Sequence, residues 1–70
     1  MKDLILALND EQGVSEQMYL AIKRLVEATL GHAAASMLVK YVDATEGRFY
    51  ISEDGIMSCW WEMCDAAAKG

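Results

Sequence analysis

Proline is absent from this 70-residue chain, and histidine, phenylalanine and long apolar runs are scarce. Without proline the chain lacks a common builder of turns, which favours helix over a loop-rich or many-turned β fold. The single histidine, His32, leaves little material for acid–base catalysis or a zinc site. With 2 cysteines the chain is no disulfide-rich scaffold. Basic residues number 6 against 11 acidic ones, for a formal net charge of -5. Lys23 and Arg24 are the one adjacent basic pair, and Glu27 lies a helical turn away, so no phosphate-binding patch is expected. Leu4 to Leu8 is too short an apolar run for a signal-peptide core, and nothing approaches the roughly 18 residues of a membrane span. These absences lead us to expect a cytoplasmic protein with no nucleic-acid partner, no membrane association and no cofactor.

What is present is apolar. Hydrophobic residues make up 54% of the chain, above the usual share of about 45–50%. A chain of this length is one domain, residues 1–70, and buries only about 60% of the surface that its unfolded form exposes. So small an interior does not hide so many apolar groups, and the expectation is a homodimer or a tightly held subunit.

The order of residues suggests helices. Asn9-Asp10-Glu11-Gln12-Gly13 reads as a turn after a short apolar piece at 2–9. Ser15 is placed to cap a helix, with Val14 positioned to pack on Tyr19. Tyr19, Ile22, Val26, Leu30, Ala33, Met37, Tyr41 and Ala44 then recur at steps of three and four. That phase runs through Gly31 and predicts one long helix over about 15–45, a break at Gly31 being the alternative. Thr45-Glu46-Gly47 ends it. Ser52, Glu53 and Asp54 read as a second helix start, and Ile56, Trp60, Met63, Cys64 and Ala67 continue in phase, predicting a shorter helix over about 53–69. The expected fold class is therefore all-α, a helical hairpin assembling as a dimeric bundle. An α+β fold with a short hairpin at 48–61 is the alternative, because Ser52-Glu53-Asp54-Gly55 also suits a loop.

Chemistry-bearing motifs are weak. His32 with Ser36 lacks a third orienting group and an oxyanion donor, so no catalytic residue is assigned and a non-enzyme is expected. Cys59 and Cys64, in the spacing C-x4-C, diverge by about 140° around a helix, so they neither bridge nor share a metal, and both read as reduced, buried hydrophobes. No metal ligands are assigned. A helix-turn-helix reading over 21–30 and 33–44 leaves one lysine, Lys40, on the reading helix and no Arg, Asn or Gln for base edges.

The segment around Trp60 and Trp61 says more. Neighbouring tryptophans lie about 100° apart on a helix, so only one faces the core squarely. Trp60 is in phase with Ile56 and Cys64, while Trp61 sits with Met57 and Ala68 on the flank. Methionine and tryptophan suit binding surfaces. Met57, Trp60, Trp61, Tyr50, Glu53 and Asp54 are the expected partner-binding residues, with the carboxylates steering a basic partner. Tyr19, Ile22, Val26, Met37, Leu38, Tyr41 and Val42 form the expected dimer interface, since a two-helix monomer cannot cover residues that are apolar nearly all round the helix. The expected function is an acidic protein-binding regulator or inhibitor that occludes another protein. A small structural subunit or adaptor, and a helix-turn-helix-like transcriptional regulator, are the alternatives.

Overall fold

Ser15 begins the first long element as its residue type predicts: the Met18 N–H donates to Ser15 Oγ at 3.2 Å. The structure, a computed structural model, describes residues 2–10 and 12–69. Its elements are α1 (Lys2–Leu6), β1 (Val14–Ser15), α2 (Glu16–Leu30), α3 (His32–Tyr41), β2 (Val42–Thr45), β3 (Arg48–Ile51) and α4 (Glu53–Lys69). The fold class is mixed α+β, not all-α: the described residues form four helices and one three-stranded antiparallel sheet in the order β1-β3-β2. Glu11, inside the expected turn, and Gly70, the expected helix end, lie outside the described residues.

The expected long helix fails at two places. At Gly31 the backbone takes φ 102° and ψ 168°, a conformation essentially confined to glycine. The Gly31 N–H still donates to Glu27 O at 3.2 Å, closing α2, and Gly31 O accepts from Ala35 N–H at 3.2 Å, opening α3. The chain therefore folds back and α3 packs on α2. Unbroken phase misled the one-helix reading for a simple reason. Apolar residues lie on more than one side of 33–41, so the spacing continues through Ala33, Met37 and Tyr41 although α3 buries Ala34, Ala35 and Leu38, leaving Ala33 exposed and Met37 and Tyr41 half-buried.

The second failure is at Val42. Residues 42–45 leave the helix and pair with 48–51, from Val42 opposite Ile51 to Thr45 opposite Arg48. Glu46 and Gly47, both at positive φ (53° and 78°), make the two-residue turn whose twist suits a tight hairpin. The hairpin thus occupies 42–51, not 48–61. Residues 53–61 are helical, as the capping pattern predicts: Ser52 O accepts from the N–H groups of Gly55 and Ile56, each at 3.0 Å, and starts α4.

One core ties these elements together. Ile5 and Leu8 meet Ile22 and Val26 of α2, Ala34, Ala35 and Leu38 of α3, Ile51 of β3, and Ile56, Cys59 and Met63 of α4. Ile51 is the junction: its N–H donates to Leu8 O at 2.9 Å, and its carbonyl accepts from Asn9 Nδ2 at 3.0 Å. Tyr19 stacks on Phe49, with centroids 4.7 Å apart and planes 4° from parallel, joining α2 to the sheet.

Gly31→Ala separates one helix from two. In a continuous helix, alanine would stabilise by about 1 kcal/mol. In this structure it must adopt a backbone disallowed to it and should destabilise by roughly 1–3 kcal/mol, read by urea denaturation.

Candidate functional site

α4 meets the core with Ile56, Cys59 and Met63, while Trp60 and Ala67 pack against the edge of that cluster. Its other face is open. Trp61 is 72% exposed and Met57, one turn earlier, is 61% exposed. Cys64 and Ala68 are exposed on the same side. At about 100° per residue, these four positions lie within about 60° of one another around the axis. Trp61 and Met57 form one wall of an open depression of about 520 Å³, with Tyr41, Ser58 and Glu62 completing the lining.

The opposite wall is held in place. The Tyr41 hydroxyl donates to Glu62 Oε2. Lys40 Nζ lies 3.5 Å from Glu62 Oε1 and 5.5 Å from the Tyr41 ring centroid. Glu62 therefore links the end of α3 to the middle of α4 and keeps the Tyr41 ring beside the groove. The sequence reading missed this cluster, because Tyr41 and Glu62 are 21 residues apart and meet only after α3 folds against α4.

Of the other expected partner-binding residues, Tyr50 and Glu53 belong to a different depression of about 380 Å³, shared with Asn9, Asp10, Ile51 and Ser52. Trp60 is half-buried and packs on the core, so it is withdrawn from the open face. Asp54 is exposed in the first turn of α4. The expected dimer face is relocated altogether. Tyr19, Ile22, Val26 and Leu38 are buried in the chain's own interior, and Met37, Tyr41 and Val42 are half-buried against it. The cover thought to need a second subunit comes from α1, α4 and the hairpin, elements that a two-helix picture lacks. Exposed apolar residues missed by the sequence reading are Leu4, Leu6, Met18, Leu20 and Leu25, spread over α1 and α2.

The chain matches no protein-family model, no curated protein and no solved structure.

His32 and Ser36 do not converge as a nucleophile and base. His32 Nδ1 lies 3.1 Å from Glu27 Oε2 on an exposed corner, while Ser36 Oγ donates to the His32 carbonyl at 3.2 Å rather than facing the ring. Among the described residues, no three His, Cys, Asp or Glu side chains cluster to hold a metal ion. None of the helices among them is long and apolar enough to cross a membrane. What the α4 face offers is contact area for an apolar side chain, bordered by carboxylates.

The two cysteines differ, and only one is the buried hydrophobe expected. Cys59 is fully buried beside Met63 Sδ at 3.7 Å, and burial pushes its thiol up to about 11, whereas Cys64 is exposed. A raised thiol contributes stability fully below the ordinary value of 9.0 and loses it as pH climbs toward 11. At pH 8 in native buffer a maleimide or disulfide reagent should therefore modify Cys64 alone, with Cys59 reacting only after denaturant is added. Two equally fast thiols in the native state would contradict this burial.

Proposed function

We propose that this chain is a protein-binding regulator or inhibitor that docks through the open face of α4 and occludes part of another protein. The observation that carries this reading is Trp61: a large aromatic left 72% exposed, one turn from an exposed methionine, on a helix anchored along its other side. Tryptophan in such a setting supplies binding energy at low entropic cost, because its rigid ring has few torsions to freeze. Methionine beside it adapts to the partner's shape. Asp54 and Asp65 border the face, and with the overall charge of -5 they favour approach of a basic surface. A cytoplasmic setting belongs to the same reading, since both cysteines are free.

The test is capture of partner proteins by tagged protein, repeated with Trp61→Ala. Hot-spot truncations cost about 2 kcal/mol or more, so affinity for the captured partner should drop at least about tenfold while far-UV circular dichroism is unchanged. Equal capture by the variant would overturn the docking role of this face.

A further inference from the structure

Met57, Trp61, Cys64 and Ala68 follow one another along α4 at steps of four, three and four, the spacing of a helical seam. The monomer's core is complete on the other side of the helix, so these side chains are not needed to close it. We infer that this seam pairs with the same seam of a second copy, antiparallel, about a two-fold axis between Trp61 and Cys64. The inference uses the surface of the docking reading but does not require a foreign partner, so either can fail alone.

Side-chain size fits the pairing, and the charges at the two ends of α4 select the antiparallel over the parallel orientation. With Trp61 opposite Cys64 of the second copy, Met57 falls opposite Ala68, and each layer matches a large side chain to a small one. The first turn of α4 carries Glu53 and Asp54, and the last turn carries Lys69. Antiparallel pairing brings Lys69 within a turn of Asp54 on the second copy, at both ends of the seam. Parallel pairing would set Asp54 against Asp54 and Asp65 against Asp65. Asp54 has no ion-pair partner among the described residues, and Lys69 holds Asp65 at 3.0 Å in an exposed pair that exchanges at little cost. Opposed helix dipoles favour the same orientation. A seam about 17 Å long, from Met57 to Ala68, is smaller than a standard interface, so the dimer is weak and concentration-dependent, not obligate. Self-pairing then shields Trp61 at high concentration and exposes it on dilution.

Sedimentation equilibrium from about 5 to 500 µM tests the inference, a span chosen for a small, weak interface. The expected mass rises from 7.8 kDa toward twice that value. Trp61→Ala should weaken the association about tenfold or more, as loss of a central aromatic anchor does. Lys69→Glu should weaken it about threefold or more at low salt, and Asp54→Lys added in the same chain should recover most of that loss. A second readout uses unmodified protein. Neighbouring helix axes 8–10 Å apart would put the two Cys64 residues within reach of a bismaleimide spanning about 10 Å, giving covalent dimers that Cys64→Ser abolishes. A constant monomer mass over the whole range would overturn the inference while leaving docking to another protein standing. Dimers indifferent to Trp61→Ala would overturn it too, by placing self-association on another face. A charge swap that deepens the loss would exclude the antiparallel orientation.

Discussion

The fold-back at Gly31 is the constraint on which the rest of this structure depends. A residue at φ 102° and ψ 168° cannot continue a helix, so α2 and α3 become partners instead of two halves of a rod. Once they face one another, Ile22 and Val26 have Ala34, Ala35 and Leu38 to pack against within the same chain. The alanines matter as much as the larger residues, because small side chains let the helix axes approach. These residues thereby come to lie in the chain's own interior.

The remaining elements close that interior from the open sides. β3 runs between β1 and β2, and Ile51 at its end is paired on one edge with Val42 and capped on the other by Leu8 and Asn9. That junction turns the short α1 segment into part of the core, since Ile5 and Leu8 are both fully buried. α4 then lies across the assembly, with its buried face set by Ile56, Cys59 and Met63. Because α4 is fastened along one side, its opposite side is presented as a firm ridge, with Trp61 at its centre. The Tyr41–Glu62–Lys40 cluster stiffens the groove beside that ridge.

A consequence for function is a division of labour between the two tryptophans. Trp60 turns to the core edge and adds to stability, while its neighbour Trp61 stands in solvent. Helical geometry enforces the split, because adjacent side chains diverge by about 100°. Asp54 and Asp65 border the exposed ridge with negative charge.

Much of the local detail was legible in the residues themselves. The Ser15 cap, the span of α4 from position 53, and the outward position of Trp61 follow from capping chemistry and helical spacing, which act within a few residues. The core residues of α2 were legible too, since the stripe at steps of three and four marks Tyr19, Ile22 and Val26, whereas on α3 it marks Ala33, Met37 and Tyr41 while the structure buries Ala34, Ala35 and Leu38. The same stripe says nothing of whether the buried face meets a second chain or the same chain returning, because spacing is blind to the direction of the axis beyond one glycine. Only the tertiary structure decided that, by supplying the fold-back at Gly31 and the α1, α4 and hairpin cover that made the expected dimer face an interior. It also decided the strand pairing of 42–45, where the residues suit either state and the partner strand, not local preference, supplies the hydrogen bonds. Sequence by itself determined where α2 and α4 begin and which side chains of α2 seek burial. Long-range packing determined what buries them, because that depends on contacts between residues far apart in the chain.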